Sequence, residues 1–450
     1  MSVLKPVSSQ SVVSTLQSLS VDLVSKKVSF IESDQVALSV KLNLSVLRGQ
    51  AVFTSAFSLT NDYGEQLFFA RQHYDRLLYS YQVMFEQNRL PFDFQIFQSY
   101  VTDLIAQNRR YNQEKYLQIL IFILAGDAKS DGYGDNIYKN GFGGQAAQVL
   151  FVTNKMTYKC AWTFEQGLNV IGIAYKREMA DAKPTLYLGG IKGQHIIDTL
   201  NTILCLDLLN SGQFDGDDDR DRLELQLQKK RKEVWDTYSG LSVSEQRQLR
   251  FFMHDLRFGR LEGKALSDLV SEYEITSPTL LDLVESVIHV PDVNASIRKV
   301  MKVILSSLYH ETIFISQGAE PNLLEGATFA ILGIDAENVI RFIPLSHSGD
   351  GNSGEAQVVL ESVSILLIKQ ALSRTGFKSV EAPIPMSELR QFKSLFAVSA
   401  TRIFKSEGQF CMQPIHSING FVLSGGDSIS REMKSKIESS VAQELANYRS

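Results

Sequence analysis

The sequence LGGIKGQHIIDTLNTILCLDLL at residues 188–209 joins a glycine-rich turn, which carries one lysine, to a long apolar run. Upstream of it, with residues 176–187 in between, residues 167–175 (GLNVIGIAY) form a short apolar run of the length and composition of a β-strand. Residues 196–209 have the spacing of a helix. A strand that leads through a glycine turn into a helix is typical of a core in which helices cover a sheet. We therefore predict a mixed domain of strands and helices around this stretch.

Upstream of this stretch, the sequence predicts a smaller unit. Alternating strand patterns at residues 28–59 and an apolar strand at 116–125 flank two helical patterns between residues 71 and 108. These elements predict a small α+β domain over residues 22–155. The Ser-rich residues 1–21 predict a flexible leader.

Downstream, the composition changes to a charged and purely helical pattern over residues 211–294, and strand patterns resume after it. Ser242 and Glu245 have the spacing of a capping box at the start of one of these helices. The basic run 229–232 stands among acidic residues and predicts a solvated helix face. We predict a large domain over residues 156–450 that is interrupted by a helical insertion at 211–294.

Composition and charge exclude several classes of function. With 450 residues, 44% hydrophobic and 21% charged, the chain has the balance of a globular protein, and its net charge of −5 gives no reason to expect nucleic acid or an acidic membrane. Its three cysteines form neither a disulfide framework nor a metal signature, so we expect no metal site. No apolar run has the length of a membrane span, and the N-terminus lacks the apolar core of a secretory signal. We expect a cytoplasmic protein, although a secreted protein without a classical signal has the same features.

Six segments of the chain, taken in order, carry a family resemblance. They are 48–53 (RGQAVF), His73-x-x-Arg76-Leu77-x-x-Ser80, Gly190-Ile191-Lys192, 324–328 (LEGAT), the stretch from 359–360 through 377–388, and 399–401 with 414–420. This series resembles the class IV aminotransferases, which include branched-chain and D-amino acid aminotransferases and aminodeoxychorismate lyase. The resemblance implies the two-domain fold of the fold-type IV pyridoxal-phosphate enzymes, with an all-helical insertion in the large domain.

The resemblance also assigns roles to individual residues. Lys192 matches the lysine that forms an aldimine with pyridoxal 5'-phosphate, and Lys183 is the second choice. Glu325 matches the carboxylate that holds the protonated pyridine nitrogen. Phosphate binding is implied for Arg76 and for Val363, Ser364 and Thr401, since a phosphate is held by a guanidinium, hydroxyls and backbone amides. The tyrosine that many members have shortly after the lysine is missing after Lys192.

The function implied is transamination of an amino acid or another amino-bearing substrate. Lyase chemistry of the aminodeoxychorismate type remains an alternative. A second alternative is a non-catalytic relative that uses the insertion at 211–294 as a surface for a protein partner. The resemblance further implies a homodimer.

Overall fold

The computed structural model describes residues 16–23, 26–33, 51–61, 63–85, 88–110, 116–125, 146–156, 161–175, 183, 188–211, 220–261, 264–275, 277–288, 293–344, 359, 362–399, 410–423 and 426–448. Within these residues the chain folds into two β-sheets with helices packed on them. The mixture of helix and sheet that the sequence predicts is confirmed.

The first sheet is built from the N-terminal third of the chain. Its strands are β1 (Gln17–Asp22), β2 (Val28–Glu32), β3 (Ala51–Asn61), β4 (Gly64–Leu67), β5 (Leu117–Ala125) and β6 (Ala146–Lys155). Neighbouring strands are antiparallel, in the order β2-β1-β6-β5-β3-β4. Helices α1 (Ala70–Phe85) and α2 (Phe94–Arg109) pack on this sheet. Helix α2 begins at its N-cap Asp93, whose carboxylate accepts a hydrogen bond from Ile96 N–H at 2.9 Å.

Strand β1 corrects the predicted leader at residues 1–21, of which residues 1–15 lie outside the described part of the chain. β1 pairs with both β2 and β6, and its side chains at Leu19 and Val21 are buried. The Oγ of Ser18, which is also buried, accepts a hydrogen bond from Thr153 N–H at 3.1 Å. A serine-rich strand can therefore be internal when its hydroxyls satisfy neighbouring backbone groups.

Strand β5 shows how the two faces of the first sheet differ. Ile119, Ile121 and Ile123 are 0% exposed and pack in the cluster that includes α1 and α2. Because side chains alternate along a strand, Gln118 and Leu120 point to the opposite face, where they are only partly buried. That second face borders the cavity described below.

The second sheet contains strands from the rest of the chain. They are β7 (Leu168–Ala174), β8 (Glu311–Ile315), β9 (Asn322–Gly326), β10 (Ala330–Asp335), β11 (Ile340–Phe342), β12 (Ser379–Glu381), β13 (Ile384–Pro385), β14 (Phe392–Val398), β15 (Gln413–Ile418) and β16 (Phe421–Val422). Their order is β12-β11-β10-β14-β15-β7-β8-β9-β13, and β16 pairs with β15. β7 runs parallel to both of its neighbours. A short helix, α3 (Ala161–Glu165), precedes β7.

Helix α4 (Leu188–Asn210) lies at the centre of the second half of the structure. Every residue from 199 to 206 is buried, so α4 is covered on all sides over more than two turns. The helix begins earlier than the predicted residue 196 because its glycines pack against the sheet. A Cβ at Gly189 would lie 2.6 Å from the Tyr175 ring, and one at Gly193 would overlap the Thr312 side chain.

The described residues between α4 and β8 form helices and no strands. These helices are α5 (Arg220–Gly240), α6 (Val243–Arg257), α7 (Leu266–Glu272), α8 (Pro278–Ile288) and α9 (Val293–Val303). The capping box is present at α6, where Ser242 N–H donates to Glu245 at 2.7 Å and Glu245 N–H donates to Ser242 Oγ at 3.3 Å. Leu249 and Phe252 of α6 are 0% exposed and belong to the same hydrophobic cluster as Leu204 of α4. The inserted helices therefore pack onto the large sheet through α4.

Arg231 of α5 corrects the predicted solvated face at residues 229–232. Lys229 and Lys232 of this basic run are exposed, but Arg231 itself is 0% exposed. Its guanidinium donates a hydrogen bond to the backbone oxygen of Ser307, and its own backbone oxygen accepts one from Tyr309 Oη at 2.7 Å. The basic run thus joins the insertion to the chain segment that leads into β8.

Helices α10 (Val363–Leu372) and α11 (Ser428–Asn447) pack together on the other side of the second sheet. Leu332 and Phe396 contribute to that cluster, whereas Ile331 and Leu395, their neighbours along β10 and β14, face the cluster around α4. None of the described helices has both the length and the apolar composition needed to cross a membrane.

Candidate active site between the two sheets

A cavity of about 540 Å³ lies between the two sheets. Small-molecule sites commonly have volumes of about 300–1,000 Å³. Strands β3 and β5, strands β8 to β10, helix α1, and the N-terminal ends of α4 and α10 all contribute to its wall. The polar and charged residues that line it include Ser55, His73, Arg76, Gln118, Lys183, Gln194, Glu311, Glu325, Ser362, Ser364 and Ser399.

Lys183 is held in the wall by contacts with both a strand and a helix of the N-terminal half. Its backbone oxygen accepts a hydrogen bond from Phe53 N–H of β3 at 3.0 Å, and its N–H donates to Ser80 Oγ of α1 at 3.1 Å. The ammonium Nζ lies 4.6 Å from the centre of the Phe53 ring. An amine is thereby fixed at the cavity, and Ser80 of the His73–Ser80 motif helps to fix it.

Lys192 is not brought to the cavity. Its side chain is exposed on α4, whereas Ile191 and Gln194 of the same turn line the cavity. The glycines on either side of it, Gly189 and Gly193, let α4 approach Tyr175 and Thr312. Lys183, the second choice, is the lysine that lines the cavity.

Helix α1 contributes His73 and Arg76 to the cavity. His73 is 1% exposed, and its Nδ1 shares a hydrogen bond of 2.8 Å with Thr54 Oγ1. Burial lowers the pKa of His73 well below 6.5, and the positive charges of Arg76 and Lys183 lower it further. The imidazole is therefore neutral at neutral pH, and the positive charge on this side of the cavity comes from Arg76 and Lys183.

Glu325 supplies a carboxylate from the second sheet. It lies on β9, lines the cavity and is 7% exposed. The turn after it is tight, because Gly326 N–H donates to the backbone oxygen of Phe329 at 2.7 Å and Ala327 N–H to that of Thr312 at 2.9 Å. The backbone directly after Glu325 is thus held by two hydrogen bonds, and Leu323 and Leu324 precede Glu325 in the strand.

The N-terminus of α10 forms a further part of the wall through Ser362, Val363 and Ser364. Val363 is 7% and Ser364 5% exposed. The first amides of a helix lack partners within the helix and carry partial positive charge, so they favour an anion. The cavity therefore offers an anion both a helix start and the guanidinium of Arg76.

Comparison with known proteins gives a match in three-dimensional structure alone, because no protein-family model and no curated protein sequence matches the chain. A branched-chain aminotransferase from Thermoproteus uzoniensis, solved with norvaline, has a TM-score of 0.51 at 13% identity over 96% of this chain and 95% of that chain. A branched-chain aminotransferase from T.th., solved with pyridoxamine 5'-phosphate, has a TM-score of 0.53 at 12% identity over 97% of this chain and 95% of that chain. The branched-chain aminotransferase from Escherichia coli has a TM-score of 0.50 at 11% identity over 94% of this chain and 93% of that chain. This chain has the fold of the branched-chain aminotransferases.

The branched-chain aminotransferase fold confirms the fold-type IV architecture implied by the sequence motifs. Of the site residues taken from those motifs, Arg76, Glu325, Val363 and Ser364 line one cavity. Thr401 lies outside the described residues.

The motifs do not include the polar residues of the first sheet that line the same cavity. Ser55 and Gln118 are two such residues. Strand alternation places Ser55 on the same face as Phe53 and Gln118 on the same face as Leu120, but it does not specify that these faces border a cavity.

Proposed function

We propose that this chain is a pyridoxal-phosphate-dependent enzyme that acts on an amino acid or another amino-bearing substrate. The observation that carries the proposal is the meeting of Lys183, Arg76 and Glu325 in one cavity with the start of α10. Two structures of similar fold are described as complexes with related forms of this cofactor, pyridoxamine 5'-phosphate in the T.th. enzyme and pyridoxal phosphate in a hypothetical aminotransferase from Mycobacterium tuberculosis.

The chemistry of the cavity's side chains fits this cofactor. An amine is needed for covalent attachment, and Lys183 rather than Lys192 supplies it in our proposal. Arg76 and the α10 amides with Ser364 suit the phosphate, and Glu325 suits the pyridine nitrogen.

The choice of Lys183 also restores a feature that was missing from the motif comparison. Tyr187 follows Lys183 by four positions, and the resembled family has a tyrosine shortly after its lysine. Tyr187 lies outside the described residues, so its placement remains a prediction.

Each side chain has a defined task in the proposed reaction. When bound, the cofactor supplies an electron sink that stabilises negative charge on the substrate carbon bearing the amino group. Lys183 Nζ is the base that takes the proton from that carbon and returns it. Glu325 holds a proton at the pyridine nitrogen, and Arg76 with the α10 amides anchors the phosphate so that the ring keeps its orientation. His73 stays neutral beside these groups, so the positive charge that attracts the phosphate comes from Arg76.

We propose transamination as the reaction, with lyase chemistry as the outcome to be tested against it by product analysis. We also propose a cytoplasmic homodimer. The dimer rests on the family resemblance, and the compartment accords with the free thiols of Cys205 and Cys411. A protein partner for the inserted helices stays a prediction. The outward face of α6, where Phe251 is 53% and Phe258 63% exposed, is the surface to probe.

The test of the proposed function compares two lysine variants. Wild type and Lys192→Ala should take up pyridoxal phosphate and retain it covalently after borohydride reduction, and Lys183→Ala should not. Lys192 is the matched control because it lies on α4 between the cavity-lining Ile191 and Gln194 but is itself exposed.

A third variant tests the phosphate anchor. Arg76→Gln should weaken cofactor affinity by more than about tenfold, since a charge-assisted contact contributes roughly 1.5–3 kcal/mol and about 1.4 kcal/mol is tenfold. Uptake of cofactor by Lys183→Ala in reducible form would refute the assignment of the lysine. No uptake by wild type would refute the proposed function.

A further inference from the structure

The first sheet presents a pair of neutral polar side chains to the cavity. On β3 and β5, Ser55 stands opposite Leu120, and Gln118 is the diagonal neighbour of Ser55 on the same face. Gln118 Nε2 donates a hydrogen bond to Ser55 Oγ at 3.3 Å. Both residues line the cavity, into which the second sheet brings Glu325. The pair therefore belongs to the wall that faces the cofactor-holding residues.

The Gln118–Ser55 pair keeps much of its hydrogen-bonding capacity. A glutamine amide has two N–H donors and a carbonyl acceptor, and the bond to Ser55 uses one N–H. That bond is the one side-chain hydrogen bond of Gln118 within the described part of the structure. One N–H, the amide oxygen and the Ser55 hydroxyl proton are thus available to a ligand.

The surroundings of the pair define the shape and charge of its ligand. Phe53 and Leu120 line the cavity beside it, one on each strand. A short apolar stem fits against these two side chains, and a terminal group that both donates and accepts hydrogen bonds fits the pair. Because Gln118 and Ser55 are uncharged, a neutral terminal group such as a carboxamide needs no charged partner there.

We infer that the substrate is an amino compound whose side chain ends in a neutral hydrogen-bonding group, and that Gln118 with Ser55 selects it over a branched aliphatic side chain. This inference rests on the proposed function and names its substrate class. An aliphatic side chain would cover the amide and leave its second N–H and its oxygen without hydrogen-bond partners. A site with such polar groups discriminates against the aliphatic analogue by about tenfold or more.

The test uses two acids of nearly the same shape that lack the reacting amino group. Succinamic acid is the deaminated counterpart of asparagine, and 4-methylvaleric acid is that of leucine. Each is titrated by calorimetry into the cofactor-loaded wild type, for which we expect at least about tenfold tighter binding of succinamic acid. Gln118→Met, which keeps the side-chain length without the amide, should abolish the preference, and Ser55→Ala should reduce it.

Gln148 provides the matched control for these variants. It lies on β6 of the same sheet, its Nε2 donates to Ser20 Oγ at 3.0 Å, and it is not part of the cavity wall. Gln148→Met should therefore keep the wild-type preference. If Gln118→Met fails to fold, Gln118→Leu takes its place, and unfolding curves verify each variant.

The outcomes separate this inference from the proposed function. If wild type takes up the cofactor but binds both acids equally, the substrate class is wrong and the proposed function stands. The same holds if Gln118→Met keeps the preference. If wild type does not take up the cofactor, the proposed function and the substrate class are both refuted.

Discussion

Replacing Phe252 by alanine tests whether the inserted helices fold as one unit with the large sheet. Phe252 of α6 is 0% exposed, whereas the adjacent Phe251 is 53% exposed. Truncation of a buried phenylalanine to alanine costs about 3–5 kcal/mol, and an exposed substitution usually changes stability by about 0.5 kcal/mol or less. The free energy of unfolding of a protein is about 5–15 kcal/mol in total. Phe252→Ala should therefore remove a large share of this free energy, and Phe251→Ala should change it little.

The loss at Phe252 should spread to the sheet through α4. Gly193 marks the sheet side of α4, because a Cβ there would overlap Thr312 of β8. With about 100° per residue, Leu206 lies about 140° around the helix from Gly193, on the side away from the sheet. Leu206 is buried in the same cluster as Phe252, and uncovering it would cost about 1.5–3 kcal/mol. The insertion therefore should not unfold alone.

The assay is urea unfolding followed by two probes in a Trp162→Phe background. Trp235, the other tryptophan, lies on α5 and reports the inserted helices, while far-ultraviolet circular dichroism reports the whole chain. We expect the two probes to give one coincident transition in wild type, shifted to lower urea in Phe252→Ala. Separate transitions, or equal shifts in the Phe251→Ala and Phe252→Ala variants, would refute the shared core.

Two further predictions concern α4 and His73. Alanine usually stabilises a helix interior by about 0.5–1 kcal/mol relative to glycine. Gly193→Ala should nevertheless lower the melting temperature, because the added Cβ would overlap Thr312. Gly240→Ala is the control and should not lower the melting temperature, because the space around its Cβ is open. The pKa of His73 is below 6.5 because of burial and two nearby cations. Below about pH 6.5 the unfolded chain therefore binds a proton that the folded chain does not. The free energy of unfolding should fall as the pH drops through this range, by up to about 1.4 kcal/mol per pH unit. The urea midpoint of His73→Gln should depend less on pH in this range than that of wild type. Burial also lowers the pKa of His416, but His416 is present in both proteins and does not affect the comparison. If the urea midpoints of both proteins change equally with pH, the role of His73 is contradicted.

The elements that the sequence predicted are those whose pattern is local. The alternation in β5 and the capping box at Ser242 depend on neighbours a few residues away, and both are present. β1 was missed because its serines form hydrogen bonds with residues far along the chain, such as Thr153. Arg231 was assigned to solvent for a similar reason. Its partner Ser307 lies 76 positions away, beyond the reach of any local charge pattern.

The candidate site shows the same division between local and long-range information. Arg76, Glu325 and Ser364 could be selected as candidates because each stands in a motif on one element, and the fold brings the three elements to one cavity. Gln118 and Ser55 could not be selected from the sequence, because they come to share one face of the sheet only when β3 and β5 pair. A single strand pattern does not specify which of its two faces will border a cavity.

The two lysines show why local context misleads about a reactive residue. Glycines around Lys192 suggest an uncharged pocket, but Gly189 and Gly193 are four residues apart and lie on the same helix face, the one that meets the sheet. Lys192 is rotated by about 100° from Gly193 and therefore points to solvent. Lys183 lies before the helix, and its position depends on Ser80, 103 positions earlier, together with Phe53. A lysine becomes a candidate for catalysis when distant contacts fix its backbone at a cavity, and its immediate neighbours in the sequence carry no information about those contacts.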